Sequence, residues 1–270
     1  MKRPLGSFQL TVVVALAVAA SACTNVVYRI GVPLLYRRAD LPEQQIVRNV
    51  PYWDGADADP KKNLLDLYRP QGTGWPVLVF IHGGGWTSGD KDLRVGGADI
   101  YGNIGRFYAA HGIGVAVISY RLQPGVAWPA QVTDAARAVA WVHANVARYG
   151  GDPDSIIVSG HSAGGQLAAR IALDPAPLAA VGVDQHVVKG MISMSGAGLD
   201  FSDAESWRLG QPRDYYEKRF RNGDKTDGWM RNASTVRFVD AHSPPGLVIY
   251  AEGDSADLRR QGDVLAAALR

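Results

Sequence analysis

Residues 156–166 read Ile-Ile-Val-Ser-Gly-His-Ser-Ala-Gly-Gly-Gln, and the five in the middle, Gly160-His161-Ser162-Ala163-Gly164, decide the fold. A short apolar, β-branched run precedes them and an alanine-rich run, Gln166 to Leu173, follows. A strand, a tight glycine turn around a serine and then a helix is the arrangement that lifts a serine hydroxyl clear of a sheet. Gly160 and Gly164 supply the room that a sharp turn and a close helix–strand approach require. A G-x-S-x-G string is common by chance, so the weight rests on its flanks.

Outward from this turn the chain alternates between strand and helix patterns. Val77–Ile81 is a continuous apolar run of strand length, as expected for a strand buried on both faces of a parallel sheet. Val115–Ser119, Ile156–Ser159, Val187–Ser193 and Leu247–Ala251 read the same way, and Ile46–Val50 and Leu64–Tyr68 read as two earlier strands. Between them, helical patterns cover 104–110, 129–149, 166–173 and 259–269. In the second of these Val132, Ala135, Ala136, Val139, Val142 and Val146 recur at helical spacing before Gly150-Gly151. Such alternation predicts an α/β fold with a doubly wound, mostly parallel sheet. Residues 196–243 interrupt the rhythm. They form either a lid or substrate wall at the ligand-binding end of the sheet or a surface excursion. Their aromatics (Trp207, Tyr215, Tyr216, Phe220 and Trp229) wall an acyl or aryl pocket or form the insertion's own small core, and the second is taken as the expectation.

The bulk composition fits one large core: 270 residues, 47% hydrophobic and 20% charged. The formal charge is +2, but residues 1–22 carry Lys2, Arg3 and no acid, which leaves 26 basic against 26 acidic residues beyond them. This balance gives no basis for nucleic-acid binding or for an electrostatic membrane patch. Cys23 is the one cysteine, so no intrachain disulfide forms. Lys2-Arg3, the apolar stretch Leu10–Ala20 and the small residues Ser21-Ala22 ahead of Cys23 read as a secretory signal over 1–22, too short to span a membrane comfortably. The segment resembles a bacterial lipoprotein signal, although Ala20 stands where leucine is usual. The resemblance implies lipidation at Cys23 and an exported, membrane-anchored protein of the cell envelope facing the periplasm. Plain secretion with an incidental Cys23 is the alternative. Residues 23–45 then read as a tether and 46–270 as one α/β domain, with the insertion at about 196–243 inside it.

Directly after the Val77–Ile81 strand comes His82-Gly83-Gly84-Gly85-Trp86. Three glycines let backbone approach a substrate unobstructed, and their amides can converge on one oxygen. Acyl transfer needs such donors because negative charge develops on the carbonyl oxygen, and losing one costs about 3–4 kcal/mol. With the second donor on the residue after the nucleophile, the expected oxyanion donors are the amides of Gly83, Gly84 and Ala163. The glycine run lacks the Lys-Ser/Thr of a phosphate-binding loop, the histidines are scattered, and no cysteine pair exists, so neither a metal nor a cofactor is expected.

Five motifs in order carry a family resemblance: His82–Trp86, Ser88-Gly-Asp-Lys91, Ser119-Tyr-Arg-Leu122, Tyr149-Gly-Gly-Asp-Pro153 and Gly160–Gly165. From about residue 46 onward the chain resembles the α/β-hydrolases. More narrowly, it resembles the hormone-sensitive-lipase-like and feruloyl-esterase-like (BD-FAE-like) carboxylesterases, close to arylformamidases. The resemblance implies a serine hydrolase of small esters with Ser162 as nucleophile, His82 and His161 as structural residues, and a catalytic acid at Asp254, after the strand Leu247–Ala251. Asp257 and Asp200 are rival positions for the acid.

The family's base, a histidine after the acid, is not matched. His82, His111, His143, His161, His186 and His242 all precede Asp254, and His242 reads as a loop residue poorly suited to replace it. The sequence thus departs from the family in lacking its last strand and its catalytic histidine. The chain is either a fragment of a full enzyme or a shortened, inactive protein. Three functions follow in order: a serine carboxylic-ester hydrolase, an arylformamidase-like amide hydrolase, and an inactive envelope lipoprotein that keeps the fold for binding.

Overall fold

The computed structural model describes residues 36–270; Cys23 and the expected signal segment 1–22 lie outside the described residues. In chain order the elements are β1 (Ile46–Pro51), β2 (Leu64–Tyr68), β3 (Trp75–Ile81), the short pair β4 (Arg94–Val95) and β5 (Ala98–Asp99), α1 (Ile100–Ala110), β6 (Gly114–Ile118), α2 (Ala130–Asn145), β7 (Gly151–His161), α3 (Ala163–Leu173), α4 (Pro175–Ala179), β8 (Val188–Met194), α5 (Ala204–Leu209), α6 (Arg213–Phe220), α7 (Gly228–Ala233), β9 (Gly246–Ile249) and α8 (Ala256–Ala268).

Seven strands form one sheet in the order β1-β2-β6-β3-β7-β8-β9. β1 and β2 run antiparallel to their neighbours and the remaining five are parallel. This is the expected mostly parallel α/β sheet. Alternate residues of β3 serve two cores, as the strand period of two requires. Val77, Val79 and Ile81 pack with Val132, Val139, Leu167 and Ile171 of α2 and α3 on one face. Leu78 and Phe80 pack with Tyr101 and Ala109 of α1 on the other. Each such side chain contributes about 1.5–3 kcal/mol by burial, which fixes the middle of the sheet firmly.

Two expectations change. Residues 36–45, read as the end of a tether, are fastened along α1. Tyr36 Oη donates to the Asp99 carbonyl at 3.1 Å, and Asn103 bonds the Ala39 amide at 2.6 Å. The buried Arg106 donates to the Leu41 carbonyl at 3.1 Å and to Glu43 at 2.6 Å. A buried guanidinium needs acceptors, and this segment supplies them.

The second concerns the stretch between β8 and β9, which carries α5, α6 and α7. Phe201, Tyr216, Phe220 and Trp229 pack on one another, but Trp86 and Trp128 join them, with ring centroids 4.8 and 4.7 Å from Phe220. The aromatic cluster is therefore shared with the glycine loop rather than private to the insertion. β9 is the sheet edge among the described residues, and Leu247 and Ile249 on it are 53% and 44% exposed. No helix among the described residues is long and apolar enough to cross a membrane.

Candidate active site

Ser162 stands between β7 and α3 with φ 55° and ψ −119°, a left-handed conformation that costs a non-glycine residue about 1–3 kcal/mol. The surroundings enforce it. The Ser162 amide donates to the Met194 carbonyl at 2.9 Å, and its own carbonyl accepts from the amides of Gly165 at 2.9 Å and Ala197 at 3.2 Å. A Cβ on Gly160 would fall 2.1 Å from the Gly164 carbonyl oxygen, and one on Gly164 would fall 2.1 Å from that of Ile81. The two glycines of the motif are thus the points where α3 presses on β7 and β3. The Ser162 hydroxyl has no hydrogen-bond partner among the described residues.

The glycine loop lies against this turn. A Cβ on Gly83 would meet His161 Nδ1 at 3.0 Å and Ser162 Cβ at 3.2 Å. Gly84 and Gly85 have φ of 121° and 59°, and a Cβ on Gly84 would fall 2.1 Å from the Ser88 carbonyl oxygen. His82 is buried and stacked on Tyr120, with ring centroids 4.2 Å apart. Its Nδ1 lies 2.6 Å from the Gly83 carbonyl oxygen. Burial pushes the imidazole down to about 4, so the ring is neutral at physiological pH and its Nδ1–H is the donor to Gly83. His82 therefore acts as a brace for the loop. Trp86 ties the loop to α3 through Nε1–H to Gln166 Oε1 at 3.1 Å.

The three expected oxyanion amides are not equivalent. Those of Gly84 and Ala163 have no hydrogen-bond acceptor among the described residues, whereas the Gly83 N–H donates to the buried Tyr101 hydroxyl at 3.3 Å. Tyr101 lies eighteen residues on, at the start of α1, and nothing in the sequence pattern marks it.

Asp254 follows β9. Its Oδ2 accepts from Ser195 Oγ at 2.6 Å and from the Ala251 amide at 2.9 Å. The Ser195 hydrogen bond holds the carboxyl below its ordinary range, with the Ala251 amide adding to the effect. Oδ1 has no partner among the described residues. Ser195 escapes sequence reasoning: it lies just past β8 with φ 47°, and only its position at a strand end hints at a role.

The rival acids point elsewhere. Asp200 is bonded to the Ser202 amide at 2.7 Å and to the Ser202 hydroxyl at 2.6 Å. Asp257 is buried against Gly210 in a small cavity with Trp207 and Tyr216. Among the histidines, His161 feels the Asp254 charge, which works against the burial that lowers its pKa. His242 is exposed in the loop that enters β9, at the opposite end of the sheet from Ser162. No imidazole is hydrogen-bonded to Ser162. Among the described residues no group of three or more histidine, cysteine or acidic side chains could hold a metal ion.

The BD-FAE family matches residues 65–269. Esterase LipQ of Mycobacterium tuberculosis is 33% identical over 231 residues, covering 82% of this chain and 52% of that protein. Esterase LipC of the same organism is 33% identical over 206 residues, covering 73% and 49%. The chain thus spans about half the length of these curated relatives. Esterase B from Lactobacillus rhamnosis shares the fold with a TM-score of 0.67 at 22% identity, covering 96% of this chain and 79% of that one.

Proposed function

The chain belongs to the BD-FAE family and has the α/β-hydrolase fold; on that premise we propose that it is a serine carboxylic-ester hydrolase. The observation that carries this reading is the abutment of the glycine loop on the strained Ser162 turn, with Gly83 packed on Ser162 Cβ and the Gly84 and Ala163 amides uncommitted. Ser162 Oγ attacks the ester carbonyl carbon. The carbonyl π electrons move onto oxygen, and the Gly84 and Ala163 amides stabilise the oxyanion; Gly83 joins them as the third expected donor when its long bond to Tyr101 yields. Collapse of the tetrahedral species expels the alkoxide, which leaves as alcohol with the serine's proton, and water then cleaves the acyl-serine to the carboxylic acid.

Asp254 is the orienting acid. Its Oδ1 is open to an imidazole N–H while Oδ2 is held by Ser195 and Ala251. The proton carrier must reach Asp254 Oδ1 and Ser162 Oγ together, and no histidine follows Asp254 in the 270 residues.

Hydrolysis of p-nitrophenyl acetate by the wild type and by Ser162→Ala tests the reading. Turnover lost in the variant supports it. Turnover equal in both, or absent from the wild type, refutes it and favours the fold-retaining binding protein; Ser162-dependent cleavage of N-formyl anilides but not esters favours the amide-hydrolase reading. We also propose export and lipid anchoring at Cys23, supported by the sequence of residues 1–23. Cys23→Ser should then release the protein from the membrane fraction, and unchanged fractionation would contradict the anchor.

A further inference from the structure

The glycine loop works only if its peptide planes stay turned, and each carbonyl from His82 to Trp86 has a donor that holds it. The His82 carbonyl accepts from Tyr120 Oη at 3.2 Å, and that of Gly83 from His82 Nδ1 at 2.6 Å. The Gly84 carbonyl accepts from the Ser88 amide at 3.0 Å and hydroxyl at 2.9 Å, and that of Trp86 from the Gln123 amide at 2.9 Å. These donors all come from the loop itself or from the loop after β6. The Gly85 carbonyl is the exception, held by Arg219 Nε at 3.2 Å from α6 of the insertion.

Arg219 is itself fixed. Its Nη1 donates to the Tyr215 carbonyl at 2.6 Å, its guanidinium lies 3.5 Å over the Tyr215 ring, and its own carbonyl accepts from Gln123 Nε2 at 2.9 Å. No carboxylate lies within ion-pair distance of it among the described residues, so carbonyl oxygens and the Tyr215 ring are what hold its guanidinium. The Tyr215 hydroxyl reaches Gly85 as well: a Cβ on Gly85 would fall 2.7 Å from it. Gly84 and Gly85 have no side chains to oppose rotation of their peptide planes, so a lost anchor frees the loop there more than it would elsewhere.

We propose that Arg219 is a positioning residue for the oxyanion loop: the insertion reaches back to lock the Gly85 peptide and holds a positive charge against the loop that carries the expected oxyanion donors. This rests on the esterase reading above. It assigns the insertion a part in transition-state stabilisation rather than only in covering the substrate.

The test measures kcat and KM for p-nitrophenyl acetate, the rate of Ser162 labelling by a fluorophosphonate, and Tm, for the wild type, Ser162→Ala, Arg219→Ala, Arg219→Gln and Arg219→Lys. Arg219→Ala should lower kcat and the labelling rate about tenfold while KM stays within about twofold, the split expected when an interaction acts in the transition state alone. Arg219→Lys, which keeps charge and a donor, should recover most of that loss. Arg219→Gln, which keeps a donor without charge, should recover less. Wild-type kcat and labelling in Arg219→Ala would overturn the proposal. So would a loss that neither Lys nor Gln repairs and that comes with a lowered Tm, because that outcome marks a purely structural residue. Absence of Ser162-dependent reaction in the wild type would instead refute the esterase reading, and this proposal with it.

Discussion

The Ser162 side and the Asp254 side of the proposed site are held by opposite means. Ser162 and the glycine loop sit at the ends of β7 and β3, adjacent strands in the middle of the sheet, where Val77, Val79, Phe80, Ile81 and Val158 are fully buried. Asp254 follows β9, the edge strand among the described residues, with Leu247 and Ile249 largely exposed. Packing and backbone strain define the first side. Two hydrogen bonds onto one carboxylate oxygen define the second. A rigid side should be brittle to added volume and indifferent to pH, and a polar side the reverse.

The largest expected effect is on the packed side. Gly84→Ala forces a methyl to 2.1 Å from the Ser88 carbonyl oxygen in a residue with φ 121°. The loop must shift, and kcat/KM for p-nitrophenyl acetate should fall at least about a hundredfold, the scale of a lost oxyanion donor. A fall below about threefold would mean that the loop is softer than its packing implies.

A smaller effect is expected on the polar side. Ser195→Ala removes the main influence lowering the Asp254 carboxyl. Because the folded-state pKa is depressed, the charged acid's contribution is present above the ordinary carboxylate range and is lost as pH falls through the depressed value. Removing Ser195 should move that loss to higher pH, read directly as an upward shift of the Asp254 titration midpoint by carboxyl-carbon NMR. An unmoved midpoint would show that Ser195 does not hold the carboxyl.

The smallest effect is again on the packed side. The His82 ring, already neutral, should show no NMR titration between pH 8 and pH 5, with its midpoint about 4. A midpoint in the ordinary histidine range would mean that the brace is open to water. A histidine depressed on folding favours the native state above its unfolded pKa and loses that advantage as pH falls toward the depressed one.

The packed side was also the legible one. Leu64–Tyr68 matches β2, and the runs Val77–Ile81, Val115–Ser119 and Val187–Ser193 match β3, β6 and β8 to within two residues, because a strand buried on both faces must be apolar throughout. Gly160 and Gly164 were readable because close backbone contact leaves no other residue possible. Ser195 was not, since a serine in a turn of small residues has many reasons to be there. The Tyr101 hydroxyl on Gly83 and Arg219 on Gly85 were hidden for the same reason: they reach the loop from eighteen and 134 residues away. Long-range hydrogen bonds leave no local periodicity. The aromatic residues of the insertion signalled a core correctly, but not that Trp86 belongs to it.

Ser162, as proposed, is a nucleophile facing oxyanion donors. Intact-mass and peptide mass spectrometry after treatment with a p-nitrophenyl alkylphosphonate addresses it most directly, because the phosphonyl oxygen must occupy the position of the ester's oxyanion. A single adduct on Ser162 is expected, formed with release of one equivalent of p-nitrophenol and slowed in Gly84→Ala. No adduct, or an adduct on another residue, would contradict it.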